Sequence, residues 1–151
     1  LRFIEFMDVG NHNKWRHNDV VPSSEIKNHL RKRMKLIPID STYRGEVAQR
    51  WNVEGRKGFE IGFISSVSQP FCGDCTRARI SSDGHLFTCL FASTGTDLKS
   101  ILRGQSNEKS LLDVISEIWK LRDDKYSELR GQTKKSGTII LPKIEMSYIG
   151  G

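Results

Sequence analysis

The sequence is most informative over Phe71-Cys72-Gly73-Asp74-Cys75-Thr76-Arg77-Ala78-Arg79-Ile80-Ser81-Ser82-Asp83-Gly84 and the later Cys89-Leu90-Phe91-Ala92. Within this stretch, Asp83-Gly84 is a dipeptide typical of tight hairpin turns. It separates the strand-like residues 77–81 from residues 85–90. The pattern predicts an antiparallel hairpin, whose return strand would bring the last of three cysteines back beside the first two.

All three cysteines of the chain lie here, with Cys72, Cys75 and Cys89 in the pattern C-x2-C-x13-C. Secreted disulfide scaffolds normally carry a larger and even number of cysteines. Three cysteines therefore favour thiolate ligands in a protein of the reducing cytoplasm. Three thiolates suit a 4Fe-4S cluster with one iron left open to a substrate atom. Structural zinc with His85 as fourth ligand is an alternative, although His85 and Cys89 would lie ~13 Å apart on an extended strand. Three unrelated thiols are the other alternative.

Two arginines follow the first cysteine pair. Arg77 and Arg79 come two and four residues after Cys75, which places them on one face of the predicted strand. Two guanidinium groups beside a metal site would form a fork suited to a phosphate chain. The alternative interpretation is an exposed arginine pair on a sheet edge.

The rest of the chain alternates short strand-like and helix-like segments. Strands are predicted over residues 1–8, 36–39, 47–53, 59–65 and 139–149, with Pro38 placing 36–39 at a sheet edge and 47–53 pairing with 59–65 as a hairpin. Helices are predicted from Ser23 or Ser24 (as the cap) to about residue 33, from 97 to 104, from 107 to about 122, and over 126–130. The first helix carries an apolar stripe of Ile26, Leu30 and Met34.

Composition narrows the classes of partner. The 151 residues carry 24 Lys and Arg against 18 Asp and Glu, a net charge of +6, which favours anionic ligands. The densest basic run, residues 31–33, is interpreted as a solvated helix face. Basic and aromatic residues do not interleave as they do in single-strand binders, so nucleic acid is not expected. Neither a membrane-spanning segment nor a secretory signal is present in the sequence, so no membrane partner is expected.

The residues quoted above strongly resemble the molybdenum cofactor biosynthesis protein A family, the radical S-adenosylmethionine GTP 3',8-cyclases. The resemblance extends to the two ends of the chain, Arg2-Phe3-Ile4-Glu5-Phe6-Met7 and Glu145-Met146-Ser147-Tyr148-Ile149-Gly150-Gly151. It implies that residues 1–20 are the terminal strand and loop of an incomplete radical-SAM α/β barrel. Residues 21–151 would be a C-terminal cluster- and GTP-binding region with antiparallel hairpins and about three helices, so the resemblance implies an α+β fold for the chain.

The resemblance also assigns roles to individual residues. Three cysteines would hold a 4Fe-4S cluster whose open iron coordinates the guanine of GTP, namely Cys72, Cys75 and Cys89. Arg77, Ala78 and Arg79 would line the GTP site, with the two arginines on the triphosphate, and Arg2 would be a further arginine of that site. Met7 would touch S-adenosylmethionine, and Gly150-Gly151 would be a tail reaching towards the active site, where the alternative is a frayed terminus.

The family's first cluster uses a C-x3-C-x2-C motif, which these 151 residues lack. The sequence is therefore interpreted as the C-terminal part of a cytoplasmic, homodimeric cyclase that converts GTP to 3',8-cyclo-7,8-dihydro-GTP. Alone, without the N-terminal barrel and its cluster, it is expected to be inactive. Cyclic pyranopterin monophosphate synthase would act next in molybdopterin synthesis. The alternative is a non-enzymatic, zinc- or cluster-stabilised phosphate-binding module.

Overall fold

A computed structural model of the chain describes residues 1–104, 110–133 and 142–149. These residues form two compact units, one of residues 1–8 and 15–76 and the other of residues 9–14 and 77–151. Both units contain helices and sheets, so the α+β prediction is confirmed. The predicted boundary after residue 20 and the predicted barrel stay predictions.

The first unit is built on a four-stranded sheet in the order β1-β4-β3-β2. Its strands are β1 (Arg2–Ile4), β2 (Leu36–Ile39), β3 (Gln49–Val53) and β4 (Glu60–Ile64). β1 runs parallel to β4, whereas β3 pairs antiparallel with both β4 and β2. The hairpin prediction and the edge position of the proline-containing strand are thereby confirmed.

Helix α1 (Ser23–Arg31) covers this sheet. The buried core consists of Leu36, Val53, Ile61 and Phe63, and the predicted stripe of Ile26, Leu30 and Met34 packs against it. The predicted serine cap is wrong, because the helix begins at Ser23 after Pro22 and has no side-chain cap from its own N-cap residue. A carboxylate from β1's end takes that place, as described below.

The second unit holds the predicted hairpin around Asp83-Gly84 in a three-stranded antiparallel sheet, β5-β6-β7. Its strands are β5 (Arg79–Ile80), β6 (His85–Phe87) and β7 (Thr96–Asp97), and its helices are α2 (Lys99–Leu102), α3 (Leu111–Lys120) and α4 (Tyr126–Thr133). The turn at Asp83-Gly84 is where the sequence predicts it, with Gly84 at φ +90°. The strands are shorter than predicted, and the expected start of α3 lies outside the described residues.

The predicted C-terminal strand is wrong over residues 142–149, which form an irregular segment and a turn. Residues 139–141 lie outside the described part of the chain. The segment is anchored instead by hydrogen bonds to distant loops. Asn11 exchanges hydrogen bonds with the Lys143 backbone at 2.6 and 3.0 Å and donates to the Glu145 carboxylate at 2.8 Å, and the Ile144 N–H donates to the Ala92 carbonyl at 2.9 Å. Ile149 is buried at its end. In the described ranges no helix has the length and apolar character needed to cross a bilayer.

Candidate functional site

The first two cysteines lie on one short turn. A 3-10 turn spans Cys72–Asp74, and the Cys75 backbone N–H donates to the Cys72 carbonyl at 3.2 Å. Both thiols are half-buried, whereas Gly73 and Asp74 between them are exposed. The two-residue gap therefore folds as a tight turn with both cysteines at its ends, which is the local conformation that a shared metal centre needs.

Cys89 lies in the second unit, two residues after β6, at the start of another turn. The Phe91 backbone N–H donates to Cys89 Sγ at 3.4 Å, and the Ala92 N–H donates to the Cys89 carbonyl at 3.3 Å. An N–H group directed at sulfur favours the negatively charged thiolate, and such contacts tune iron–sulfur centres. This half-buried cysteine thus has the surroundings of a thiolate ligand.

The donors fit an iron–sulfur cluster by their chemistry: three half-buried thiols, all on turns, one with an N–H donor to its sulfur. Among the described residues, no three His, Cys, Asp or Glu side chains are grouped as a metal site. His85, the fourth ligand of the zinc alternative, has its Nδ1 3.1 Å from Asp83 Oδ2.

The structure places the predicted GTP-binding residues of the hairpin at the start of β5. Arg79 is half-buried in the strand, opposite Phe87, while Arg77 and Ala78 precede the strand and are exposed. Arg79 is thus the only one of the three in regular structure.

Arg2 lies in β1, opposite Gly62 of β4. The glycine leaves room for the arginine side chain to cross it, because a Cβ at Gly62 would lie 2.5 Å from Arg2 Cδ. Beyond the glycine, the guanidinium forms an ion pair with Glu60, whose second oxygen is 3.3 Å from Arg50 Nη1. Met7 is half-buried in the loop after β1, and Gly150 and Gly151 lie outside the described residues.

One buried charge was not predicted from the sequence. The Glu5 side chain accepts hydrogen bonds from the backbone N–H groups of Ser23, Val67 and Ser68 at 2.7–2.9 Å, and from the Ser68 hydroxyl at 2.6 Å. Burial is the largest single influence and raises the pKa of Glu5, but the hydrogen bonds, led by the Ser68 hydroxyl, outweigh it and hold the pKa below its usual value. Glu5, which directly follows β1, therefore caps the N-terminus of α1 through the Ser23 N–H. No local signal marks it, because its partners are 18 to 63 residues away.

Comparison with known proteins gives one consistent result. Residues 1–128 match the family model described as Molybdenum Cofactor Synthesis C. The chain is 50% identical over 151 residues to the GTP 3',8-cyclase of Xanthomonas campestris pv. campestris (strain B100), covering 100% of this chain and 42% of the relative. It is 46% identical over 152 residues to the enzyme of that name in Parasynechococcus marenigrum (strain WH8102), covering 100% and 41%.

A third relative, the GTP 3',8-cyclase of Acidothermus cellulolyticus, is 43% identical over 172 residues, which cover 100% of this chain and 47% of the relative. The chain thus spans less than half the length of these curated relatives.

Proposed function

The chain belongs to the Molybdenum Cofactor Synthesis C family, and on that premise we propose that it supplies the part of a GTP 3',8-cyclase that binds a second 4Fe-4S cluster and GTP. The observation that carries the proposal is the sequence of features in one stretch. A turn bearing Cys72 and Cys75 is followed by Arg77 and Arg79, and then by Cys89 with an N–H donor at its sulfur. Relatives named GTP 3',8-cyclase, at up to 50% identity over the whole chain, support the same assignment.

In this proposal Cys72, Cys75 and Cys89 hold the cluster. When bound, the cluster supplies one iron without a protein ligand, at which the guanine base is oriented. The Phe91 N–H stabilises the charge on the Cys89 sulfur. Gly73 and Asp74, between the first two cysteines, are exposed, so this turn is accessible from solvent.

The arginines hold the triphosphate. Arg77 and Arg79 provide planar donor groups that suit phosphate oxygens, and arginine remains charged at any physiological pH. Arg2 is the further phosphate ligand, and Glu60 is the carboxylate with which a phosphate would compete for it. Holding the phosphates while the base is fixed at the other end orients the ribose between them.

The remaining expectations concern the intact enzyme. The 151 residues contain no C-x3-C-x2-C motif, so we expect that they cannot by themselves generate the radical that starts the reaction. Met7 would contact S-adenosylmethionine, and Gly150-Gly151 would reach the substrate. The N-terminal barrel, the homodimer and the downstream synthase are likewise expected from the resemblance.

A double substitution in the intact, anaerobically reconstituted enzyme tests the phosphate site. Arg77→Ala with Arg79→Ala should weaken GTP binding by about 100-fold or more, since each charged hydrogen bond contributes about 1.5–3 kcal/mol, while iron and sulfide content stay at the wild-type level. The matched control is Arg31→Ala with Arg33→Ala, two exposed arginines of the first unit. Unchanged GTP affinity in the first pair would remove these arginines from the site. Stoichiometric zinc without labile sulfide would favour the non-enzymatic module instead.

A further inference from the structure

Gly45 makes an unusually close approach to the turn that carries the first two cysteines. Its φ is +83°, in the left-handed region that favours glycine. A Cβ at this position would lie 2.7 Å from the Asp74 carbonyl oxygen and 2.8 Å from Thr76 Oγ1. Carbon and oxygen atoms do not approach that closely without displacing one another. The backbone at Gly45 therefore packs directly on the backbone that runs through the cysteine turn.

The loop that presents Gly45 is closed by a buried ion pair. Glu46 Oε1 lies 2.6 Å from Arg50 Nε of β3, and these side chains are only 9% and 16% exposed. Glu46 Oε2 accepts the Thr42 backbone N–H at 2.8 Å, and Arg50 Nη2 donates to the Asp40 carbonyl at 3.1 Å. Both ends of the loop are thus tied to one arginine of the central sheet.

That arginine is itself fixed to the next strand, because Arg50 Nη1 is 3.3 Å from Glu60 Oε2. On the other side of the loop, the exposed Arg44 lies 3.6 Å from the Asp74 carboxylate, a pair that contributes little. A cavity of about 460 Å³ borders the loop and is also lined by Phe71 and Asp74. The cysteine turn therefore has space to shift if the contact at Gly45 is altered.

We propose that Gly45 is a positioning residue for the cluster ligands Cys72 and Cys75, held in place by the Glu46–Arg50 pair. This inference rests on the proposed function. The close contact fixes the Asp74 carbonyl, which lies between the two cysteines, and so fixes the turn that directs their sulfurs. Groups that orient metal ligands in this way typically affect metal retention by about 10- to 100-fold.

The test is the rate at which the intact, cluster-loaded enzyme loses iron to an excess of ferrous chelator under anaerobic conditions. Cys72→Ser identifies the relevant cluster as the kinetic phase that this variant lacks. Gly45→Ala should accelerate that phase by about 10- to 100-fold. The matched control is Gly58→Ala, because Gly58 has a similar φ of +76° but no atom within 4 Å of the place a Cβ would occupy. It imposes the same backbone strain without the collision, and should leave the phase within about twofold of wild type.

The outcomes separate the two claims. If Cys72→Ser removes a phase but Gly45→Ala and Gly58→Ala release iron at the same rate, the positioning role is wrong and the proposed function stands. If Cys72→Ser removes no phase, the proposed function fails, and the positioning role fails with it. If Gly45→Ala does not fold, Glu46→Gln carries the test, since it loosens the loop without adding an atom. Glu46→Gln should also accelerate the iron-loss phase that Cys72→Ser lacks. An unchanged rate in Glu46→Gln would then overturn the inference.

Discussion

Tyr148 donates a hydrogen bond from its phenol to the carboxylate of Asp83, joining the C-terminal segment 142–149 to the turn of the arginine hairpin. Asp83 also accepts the Ser81 hydroxyl at 2.5 Å. The Tyr148 ring packs edge-on against Phe87 of β6, with ring centroids 6.4 Å apart. The C-terminal segment is thus fixed to the hairpin two residues before the glycine pair that we expect to reach the substrate.

Tyr148→Phe should loosen this attachment while keeping the ring. We expect amide hydrogen exchange over residues 142–149 to become several-fold faster, because one anchoring hydrogen bond is lost while the ring contact remains. Mass-spectrometric exchange measures this segment directly. Tyr43→Phe is the control, since that ring is 62% exposed. Equal exchange in wild type and Tyr148→Phe would show that the hydrogen bond does not hold the segment.

The hydrogen bond between Tyr148 and Asp83 should weaken at low pH and also at high pH. The hydrogen bond from the Ser81 hydroxyl, and then the one from Tyr148, holds the pKa of Asp83 well below its ordinary 3.8. The stability that the ionised Asp83 carboxylate gives to this contact is therefore present above pH 3.8 and is lost as the pH falls below it. The hydrogen bond to the Asp83 carboxylate raises the pKa of Tyr148 above its ordinary 10.0. The stability that the protonated Tyr148 phenol gives to the contact is therefore complete below pH 10 and is lost at higher pH. The exchange difference between wild type and Tyr148→Phe should therefore be largest between these limits. A difference that persisted unchanged beyond both limits would contradict the assignment.

Glu5→Gln should destabilise the first unit strongly. The amide nitrogen would replace one of two oxygens that together accept four hydrogen bonds, from Ser23, Val67 and Ser68. We expect the free energy of unfolding to fall by about 2–4 kcal/mol in urea denaturation, against little change for the exposed control Glu54→Gln. Because the pKa of Glu5 is lowered from 4.5, the wild-type advantage is present above that pH and shrinks as the pH falls below it. If the loss of unfolding free energy in Glu5→Gln did not change with pH, the ionised carboxylate of Glu5 would not be its cause.

Substitutions of Arg2 and of Glu60 should change the affinity for GTP in opposite directions. Arg2→Ala should weaken binding by about tenfold, through loss of a charged hydrogen bond to phosphate. Glu60→Gln should tighten binding, because it removes the carboxylate that competes for Arg2. Titration calorimetry measures both affinities. If both variants weakened binding equally, the effect would come from disturbance of the strands and not from a phosphate contact.

Local signals account for the parts of the fold that the sequence predicts well. The Asp83-Gly84 turn, the edge strand at Pro38 and the stripe of Ile26, Leu30 and Met34 each depend on neighbouring residues only. The cysteine spacing belongs to the same class, since Cys72 and Cys75 form a turn by themselves.

The features that the sequence does not predict depend on distant partners. Residues 142–149 have the composition of a strand, yet their anchors are side-chain contacts to distant loops, such as Tyr148 with Asp83, 65 residues away, and Asn11 with Glu145, 134 residues away. The carboxylate of Glu5 replaces a serine cap on α1 from another part of the chain. Gly45 is one of 13 glycines, and only the folded chain shows that it faces the cysteine turn.

The central claim is that Cys72, Cys75 and Cys89 hold an iron–sulfur cluster. Its most direct test is iron and acid-labile sulfide analysis of the intact enzyme, anaerobically reconstituted, with all three cysteines replaced by serine. We predict that this variant loses one 4Fe-4S cluster per chain relative to wild type. Iron and sulfide equal to wild type, or a wild-type enzyme whose only metal lost on substitution is zinc, would contradict the claim.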